Sequence, residues 1–506
     1  MATLTINNGE NFFVEFHEEK NLLEIIRAND FALEASCGGK GTCGKCVVII
    51  DGKLHKACET FAEEGMIVTI PPKKVSEKIL TQTGKMDIEI KNIFSEIKEG
   101  FGLAVDVGTT TIAAYLYNIS SGERVGIASS VNPQKIFGAD VISRIDYTMK
   151  GEIERKRMQE EIVNCVQSIV EKFSQDISII TFTGNTTMMH FLLNLDASGI
   201  AVAPFTPETT KMIEFNPETI GLKLYNTRAL VLPSVSAYVG ADTVSAILAT
   251  GLDVSSNAEL LVDIGTNGEI ALQAGDSVWA CSTAAGPAFE GANIYCGMPA
   301  VEGAISECKI QGNTLELKVI GDGKATGLCG SGVLDMIALL LDNEVVDFSG
   351  RMVDSDEIEE AWLADRIIDF NGANAFKIDD EGKVIITQKD VREIQNAKAA
   401  ICAGIIILIQ RAGISIQDIE HTFLAGGFGN FMNKESAIRI GLLPKELSET
   451  IITAGNAAGL GASMCLLNVD YLKKASILGE TVKYVELSFD PGFSECYMEN
   501  MMFGEE

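Results

Sequence analysis

A segment of this 506-residue chain occurs twice, and the repeat constrains the fold more than any other feature. Leu103-Ala-Val-Asp-Val-Gly-Thr109 returns without a gap, 157 residues later, as Leu260-Leu-Val-Asp-Ile-Gly-Thr266. Each copy is an apolar strand that ends in Asp-x-Gly-Thr. Strands and helices alternate from there to the end of the chain, which is typical of α/β proteins. The sequence therefore predicts two similar α/β halves.

Each copy of the repeat ends in a turn that suits a phosphate group. Glycine permits a tight turn, and consecutive backbone N–H groups can form an anion-binding nest. Asp106 and Asp263 are candidate magnesium ligands that act through water, because Mg²⁺ keeps much of its hydration shell. Asp263 is also the candidate catalytic residue. The candidate nucleotide-binding residues of the two turns are Asp106, Gly108, Thr109, Thr110, Thr111, Asp263, Gly265, Thr266, Asn267 and Gly268.

One Asp-x-Gly-Thr turn alone would be weak evidence, because ordinary hairpins also contain this pattern. Two copies in duplicated halves predict a paired site. A third glycine-rich turn follows a later apolar strand in Phe423-Leu-Ala-Gly-Gly-Phe-Gly429. Its glycines Gly426, Gly427 and Gly429 let the backbone lie against an adenosine, so they complete the candidate nucleotide-binding set.

Four of the twelve cysteines lie close together, with the spacing C-x5-C-x2-C-x11-C. They are Cys37, Cys43, Cys46 and Cys58. Thiolates grouped in a glycine-rich loop suit an iron–sulfur cluster, because the backbone can wrap closely and donate N–H groups to sulfur. Zinc is the alternative, but it favours two C-x2-C pairs and this loop has one. The other eight cysteines are scattered and are interpreted as small buried apolar residues.

The chain carries 70 acidic and 40 basic residues, a formal net charge of −30. Such a surface repels nucleic acid and anionic lipid, so neither is an expected partner. Acidic residues near the start argue against a secretory signal peptide. The apolar run Ile401–Ile409 is too short to span a bilayer and is interpreted as part of a core helix. A cytoplasmic location is the expectation.

Residues 1–72 are predicted to form a small unit of strands and one helix capped by Asn21. Within it, Ser36-Cys-Gly-Gly-Lys-Gly-Thr-Cys-Gly-Lys-Cys46 resembles the cluster loop of 2Fe–2S ferredoxins, which have a β-grasp fold. The first gap is one residue longer than in the plant-type pattern. The resemblance implies a 2Fe–2S cluster bound by the four cysteines. Residues 73–100 are expected to be a linker.

The three glycine-rich turns resemble the phosphate-1, phosphate-2 and adenosine motifs of the superfamily of acetate and sugar kinases, heat-shock chaperone ATPases and actin. This resemblance covers roughly residues 101–506. It implies a duplicated ribonuclease-H-like α/β ATPase whose lobes close on Mg–ATP. Lobe I is expected over residues 101–240 and lobe II over 241–506, and a return of the final helices to lobe I is left open.

Five further runs resemble one family of that superfamily, the reductive activators of corrinoid-dependent methyltransferases. The runs are residues 132–144, 183–186, 285–292, 327–332 and 390–398. The resemblance implies ATP-dependent donation of one electron to the Co(II) corrinoid of a partner protein, which restores Co(I). It also implies a low-potential electron donor. Longer members have an extra domain between ferredoxin and ATPase, for which residues 73–100 leave no room.

Two other functions compatible with the sequence are a small-molecule kinase with a redox-regulatory ferredoxin domain and a non-enzymatic scaffold switched by redox state and nucleotide. The sequence leaves open whether the chain forms a homodimer. Glu290 and Glu302 are candidate general bases, but in so acidic a chain a solvated carboxylate is the default interpretation. Cys329 is interpreted as part of a tight helix-entry turn near nucleotide. The four histidines are assigned surface or core roles.

Overall fold

The computed structural model describes residues 2–8, 11–16, 20–29, 31, 33, 35, 39, 41, 46–71, 88–321, 323–429 and 431–504. Two of the four clustered cysteines, Cys37 and Cys43, lie outside the described residues, and so does most of the predicted linker.

The N-terminal unit is a mixed β-sheet with one packed helix. Its elements are β1 (Ala2–Asn7), β2 (Asn11–Phe16), α1 (Leu22–Ala28), β3 (Val47–Ile50), β4 (Lys53–Lys56) and β5 (Ile67–Thr69). The strand order is β2-β1-β5-β3-β4, with β1 and β5 parallel. The Asn21 side chain caps α1 by accepting from the Glu24 N–H, as expected. This arrangement of strands and helix is the predicted β-grasp fold.

Strand β4 was not foreseen, because all four of its side chains are exposed and its sequence lacks the alternation of a half-buried strand.

The first lobe is built on a six-stranded sheet. Its elements are β6 (Phe101–Val107), β7 (Thr111–Asn118), β8 (Arg124–Val131), α2 (Val141–Thr148), α3 (Glu152–Val170), β9 (Ile177–Thr183), α4 (Thr186–Leu193), α5 (Ser198–Ala201), β10 (Ile213–Phe215), β11 (Arg228–Val231) and α6 (Ala241–Thr250). The strand order is β10-β11-β9-β6-β7-β8.

The second lobe repeats this sheet and adds two small sheets. Its elements are β12 (Ala258–Ile264), β13 (Gly268–Ala274), β14 (Ser277–Thr283), β15 (Ala304–Gln311), β16 (Thr314–Val319), β17 (Gly327–Leu328), α7 (Gly330–Asp342), α8 (Ala361–Ala364), β18 (Ile367–Phe370), β19 (Ala373–Lys377), β20 (Ile385–Thr387), α9 (Gln388–Ala412), β21 (Ile419–Ala425), α10 (Gly426–Gly429), α11 (Lys434–Arg439), β22 (Ile451–Gly455), α12 (Ala457–Leu467), α13 (Val469–Thr481), β23 (Lys483–Tyr484) and α14 (Phe493–Glu499). The main sheet has the order β22-β21-β12-β13-β14-β23.

The two main sheets share one design. In each, three consecutive antiparallel strands (β6-β7-β8 and β12-β13-β14) stand beside a parallel strand, β9 or β21. The predicted duplication of an α/β half is therefore confirmed. Both copies of the repeated sequence lie on the central strands β6 and β12, so their turns emerge at the carboxyl ends of equivalent strands.

Helices α6 and α12 lie between the two sheets. Helix α12 packs against β6 and β9 of the first lobe, and α6 contacts β12 and β13 of the second. The helices touch closely, because a Cβ on Gly461 would lie 1.9 Å from the Ser245 carbonyl oxygen. One buried apolar cluster includes residues of both sheets, such as Ala104 and Leu261. The division of the ATPase at residue 240 stays a prediction.

Residues 88–100, assigned to the linker from sequence, pack against the ATPase lobes. Lys91 forms a β-bridge with Asn468, at the junction of α12 and α13. The Lys91 N–H donates to the Leu467 carbonyl at 3.0 Å, and the Lys91 ammonium lies 2.8 Å from the Asp470 carboxylate. Phe94 is buried beneath the Arg228 guanidinium. This part of the segment is docked because its few apolar residues find a place in the inter-lobe core.

Helix α9 is the one helix in the described ranges that is long and apolar enough to cross a membrane, and 78% of its apolar window is buried inside the fold. It packs beside β13 and β14, which confirms the interpretation of Ile401–Ile409 as part of a core helix.

Candidate cluster and nucleotide sites

A short hairpin brings together the last two cysteines of the cluster motif. Strand β3 pairs with β4 from Val47↔Lys56 to Ile50↔Lys53, so Cys46 precedes one end of the hairpin and Cys58 follows the other. Their Sγ atoms lie 3.2 Å apart. That separation exceeds the roughly 2.05 Å of a disulfide and suits two thiolates bound to one metal ion. The eleven-residue gap is thus the length of one tight hairpin.

The loop around these thiols leaves room for a close approach. Gly39 and Gly41 have φ angles of +96° and +78°, which other residues rarely adopt. A Cβ on Gly39 would lie 4.0 Å from the Cys58 Cβ and 3.2 Å from Leu23. The Lys56 ammonium donates to the Gly41 carbonyl at 3.2 Å, which fixes the loop beside the hairpin. The described residues therefore fit a metal–sulfur group, and the contribution of Cys37 and Cys43 stays a prediction.

The first phosphate turn joins β6 to β7. It is closed by the Gly108 N–H, which donates to the Thr111 carbonyl at 3.0 Å. Asp106, at the end of β6, accepts a hydrogen bond of 2.9 Å from the Asn456 amide. Asn456 in turn caps α12, since its side chain accepts from the Gly459 N–H. The first turn is thus tied to the helix that lies between the lobes.

Polar side chains from two of the family-like runs hold the first turn from behind. The Asn132 amide donates to the Gly108 carbonyl at 2.9 Å, and the Arg144 guanidinium donates to the Thr109 carbonyl at 2.7 Å. The Asn185 amide donates to the Thr109 hydroxyl at 3.0 Å. Arg144 is completely buried, and burial lowers its pKa to about 10. These runs therefore have a physical task, which is to fix the backbone of the turn.

The second phosphate turn joins β12 to β13 and has fewer supports. The Gly265 N–H donates to the Asn267 carbonyl at 3.0 Å. The Thr266 hydroxyl donates to Glu290 at 3.1 Å. Asp263, at the end of β12, lies against the third turn, because a Cβ on Gly426 would approach its Oδ1 to 2.5 Å. Glycine is required at position 426 by this contact and by a φ of +89°.

The third turn forms the short helix α10 directly after β21. A Cβ on Gly427 would meet nothing within 4 Å, so this glycine borders open space. Gly429 is buried, and Phe428 between them stacks on Phe289 with ring centroids 5.1 Å apart. The structure therefore brings all three predicted turns to one cleft between the lobes.

Four carboxylates converge in this cleft. Burial raises the pKa of Asp106 to about 7. The negative charge of Asp242 raises it further, and the hydrogen bond from the Asn456 amide partly offsets the rise. Burial and the charges of Asp242 and Asp106 raise the pKa of Asp263 to about 7. Burial raises the pKa of Asp242 to about 6. Burial and neighbouring Asp242 and Asp263 place the pKa of Glu269 well above its usual range.

Such a group of carboxylates is chemically suited to a divalent cation. Each side chain is largely buried but keeps part of its surface exposed at the cleft, so a hydrated Mg²⁺ can reach it. Asp242 and Glu269 were missed from sequence. Asp242 is the second residue of α6, after the N-cap Gly240 and Ala241, which is a weak signal, while Glu269 follows the repeated turn at the position that Ile112 holds in the first copy.

Glu290 does not follow its default interpretation as a solvated acid. It accepts hydrogen bonds from the Thr110 hydroxyl at 2.7 Å and the Thr266 hydroxyl at 3.1 Å, one from each phosphate turn. Burial raises its pKa. The reason is the 3₁₀ turn Pro287–Glu290, which carries the side chain into the cleft. Glu302, in contrast, is exposed.

Other residues singled out from the sequence lie outside the cleft. Cys329 is the N-cap of α7 and its thiol donates to the Ile305 carbonyl at 3.3 Å, which confirms a helix-entry turn. His190 is a buried core residue that accepts from the Glu208 N–H at 3.1 Å. In the run of residues 390–398, the Gln395 amide donates to the Met501 carbonyl at 2.8 Å and Lys398 to that of Met502. This run holds the C-terminal segment rather than nucleotide.

A cavity of about 350 Å³ opens in the first lobe. It is lined by Lys156, Gln159, Leu193, Asn194, Leu195, Ile213, Phe215, Thr219 and Ile220. None of these residues belongs to the three turns.

Comparisons with known proteins agree with this division. Residues 5–68 match the 2Fe–2S iron–sulfur cluster binding domain. Residues 101–255 match the RACo middle region, and residues 257–506 match the C-terminal domain of RACo, the ASKHA domain. The corrinoid activation enzyme RamQ of Eubacterium limosum is 30% identical, over 97% of this chain and 98% of its own length. The chain belongs to the family of corrinoid reductive activators.

Two further members of this family extend the comparison. The [Co(II) methylated amine-specific corrinoid protein] reductase of Methanosarcina barkeri is 25% identical, over 71% of this chain and 68% of its own length. A solved structure titled reductive activator for corrinoid, iron–sulfur protein superposes with a TM-score of 0.74 at 25% identity, covering 99% of this chain and 98% of the other. The reductive-activator fold, a ferredoxin unit followed by an actin-like ATPase, is thus present over nearly the whole chain.

Proposed function

We propose that this protein uses ATP to drive the transfer of one electron to the Co(II) corrinoid of a methyltransferase corrinoid protein, which restores Co(I). The observation that carries the proposal is the presence in one chain of a cysteine hairpin suited to a metal–sulfur group and a carboxylate-lined cleft between duplicated lobes. Membership of the corrinoid activator family supports the same reaction.

The cysteines Cys37, Cys43, Cys46 and Cys58 would hold a 2Fe–2S cluster, which supplies one-electron chemistry when bound. The backbone of the turns at Gly108–Thr111 and Gly265–Gly268 would hold the phosphates of ATP. Asp106 and Asp263 would orient hydrated Mg²⁺, with Asp263 as the catalytic residue. Gly426, Gly427 and Gly429 would lie against the adenosine. Asp242 and Glu269, whose charges interact with that of Asp263, would join this set.

ATP is needed because the electron moves uphill. A 2Fe–2S ferredoxin sits near about −400 mV, and the corrinoid couple is expected to lie lower. Each 100 mV of this gap costs about 2.3 kcal/mol for one electron. Nucleotide can offset the cost by favouring a conformation that binds the activated complex better. Closure of the lobes around α6 and α12 is the conformational change that this fold makes available.

The same proposal includes the setting in which the protein works. A low-potential donor reduces the cluster, and the protein acts in the cytoplasm. A homodimer is compatible with this function and is not required by it. The net charge of −30 makes docking on another acidic protein weaker at low salt, where charge repulsion is least screened.

The test is anaerobic mixing of the reduced protein with a Co(II) corrinoid protein, followed by visible spectroscopy with and without Mg–ATP. Wild type should form Co(I) only with Mg–ATP. Equal formation of Co(I) without nucleotide would show that the ATP site is not coupled to electron transfer. A phosphorylated small molecule as product would instead support the kinase alternative.

Two cysteine variants sharpen this test. Cys46→Ser should lose the cluster spectrum and Co(I) formation, because it removes one thiol of the 3.2 Å pair. Cys402→Ser is the matched control, since Cys402 is buried in α9 and its thiol donates to Asn500, a bond that a serine hydroxyl can also make. Loss of the cluster in both variants would contradict the assignment.

A further inference from the structure

The 3₁₀ turn Pro287–Glu290 contacts all three nucleotide turns. Glycines with φ angles of +73° and +76°, Gly286 and Gly291, flank it and set its direction. Its last residue, Glu290, accepts hydrogen bonds from the first and second turns. Its Phe289 stacks on Phe428 of the third turn.

The Glu290 carboxylate accepts from two hydroxyls that are suited to bind an anion. The hydroxyls of Thr110 and Thr266 come from opposite lobes, and both belong to turns suited to phosphate oxygens. In the structure both hydroxyls donate to the two oxygens of one carboxylate. The buried Arg144 guanidinium, behind the first turn, adds attraction for negative charge at this point. A phosphate and the Glu290 carboxylate would therefore compete for the same donors.

The contact also joins the two lobes. Thr110 belongs to the first lobe, whereas Thr266 and Glu290 belong to the second, so the carboxylate is a direct polar bridge across the cleft. Like charges repel strongly where water is partly excluded, so a phosphate would not be expected to share these donors with the carboxylate. The Glu290 side chain must then leave the two hydroxyls, and the stacking of Phe289 on Phe428 places the 3₁₀ turn that carries it beside the third turn.

We propose that Glu290 is an internal anion that bridges the lobes in the nucleotide-free protein and is displaced from Thr110 and Thr266 by the phosphates of Mg–ATP. This inference rests on the proposed function, because it requires the cleft to bind Mg–ATP. The Glu290 carboxylate leaves the two hydroxyls as the phosphates bind to them. Part of the binding energy of the nucleotide is consequently spent on breaking the bridge, which couples occupancy of the cleft to the position of residues 287–290.

The test compares Glu290→Gln with Glu302→Gln by calorimetric titration with a non-hydrolysable Mg–ATP analogue. Both variants remove one negative charge from the second lobe, but Glu302 is exposed and has no recorded contact with the turns. Glu290→Gln should bind the analogue about tenfold or more tightly than wild type, because the competing charge is gone. Glu302→Gln should bind it with wild-type affinity.

A third variant, Glu290→Asp, separates the charge from the bridge. Its carboxylate is too short to reach both hydroxyls, so its affinity should lie between those of wild type and Glu290→Gln. Glu290→Asp also keeps the test valid if Glu290→Gln fails to fold, because the aspartate variant loses the bridge but keeps the buried negative charge. Equal or weaker binding in the variants that fold would overturn the proposal and assign Glu290 to catalysis or cation binding.

The titration also separates this idea from the proposed function. It uses neither a corrinoid protein nor turnover. Wild type that fails to bind Mg–ATP would overturn both proposals. Wild type that binds Mg–ATP with the same affinity as Glu290→Gln overturns the bridge alone, while Co(I) formation still decides the reaction.

Discussion

The two phosphate turns have the same sequence pattern but not the same structure. In the first lobe the hairpin closes with Val107 opposite Ile112, which leaves a loop of residues 108–111. In the second it closes with Ile264 opposite Gly268, which leaves a loop of residues 265–267. The ungapped repeat therefore conceals a difference of one residue in register. The repeated Asp-x-Gly-Thr ends both strands at the same place, and we expect the residue three positions after its glycine, Thr111 or Gly268, to decide where pairing resumes.

The turns also differ in what holds them. Buried side chains of the same lobe, Asn132 and Arg144, bind the carbonyls of the first turn. The second turn depends on contacts that cross to other turns, through Glu290 and Gly426. Buried hydrogen bonds are costly to break, whereas contacts across a cleft can be exchanged for a ligand. We therefore expect the first turn to act as a fixed platform and the second to respond to nucleotide.

Removal of Arg144, which supports the first turn, should have the largest effect on stability and on Mg–ATP binding. Arg144→Met leaves the Thr109 and Gly138 carbonyls without their buried donor. The expected loss of unfolding free energy is about 3–5 kcal/mol, with loss of Mg–ATP binding. Denaturant unfolding and calorimetry measure the two effects. Arg144→Lys, which can keep one of these bonds, should recover part of both. Wild-type stability in Arg144→Met would refute the platform.

The next largest effect on the free energy of unfolding is expected from exchanging the residues at the position where the registers of the β6–β7 and β12–β13 hairpins diverge. Thr111 and Gly268 occupy equivalent positions in the repeat. In Gly268→Thr the new Cβ would lie 2.7 Å from the Thr283 hydroxyl and 2.8 Å from Ile401, so overpacking should cost about 2–3 kcal/mol.

The reciprocal Thr111→Gly is the control and should cost about 0.5–1 kcal/mol. Equal losses of unfolding free energy in Gly268→Thr and Thr111→Gly would mean that the residue at this position does not set the register.

The two aspartates should differ in their effect on magnesium. Asp106 is partly compensated by the Asn456 amide, whereas Asp263 has no hydrogen-bond donor recorded within the described ranges. We expect Mg–ATP affinity to fall about 100-fold in Asp263→Ala and about tenfold in Asp106→Ala, or about 2.8 and 1.4 kcal/mol. Calorimetry gives the affinities, and the ferredoxin spectrum should be unchanged in both. Identical losses of Mg–ATP affinity in the two variants would contradict the expected difference between Asp106 and Asp263.

The smallest expected effect is on pH dependence. The pKa values of Asp106 and Asp263 are raised to about 7, so their contribution to stability is present below about pH 4 and is lost as pH rises through 7. Nucleotide-free protein in a chelator should lose about 1–2 kcal/mol of unfolding free energy between pH 5 and pH 7.5. Asp263→Asn should flatten this dependence more than Asp106→Asn does. A stability that rises over this range would contradict the assignment.

Much of this arrangement was open to sequence reasoning. The repeat located both central strands, and the cysteine spacing grouped Cys46 with Cys58, although strand β4 of the hairpin between them was not foreseen and Cys37 and Cys43 lie outside the described residues. The register difference could not be found, because an ungapped repeat carries no sign of it. Glu290 was misjudged because composition makes a solvated acid the default, while its burial depends on a 3₁₀ turn that only tertiary contacts fix.

The docked segment at residues 88–100 has a mechanical consequence. Its bridge to Asn468 lies where α12 ends and α13 begins, and α12 lies between the two sheets. Any rotation of one lobe against the other would move this joint and the chain attached to it. The chain that leads to the electron carrier is therefore fixed beside the end of the helix that lies between the two sheets. Opening and closing of the cleft would then alter the reach of the carrier without requiring any contact between the cluster and the nucleotide.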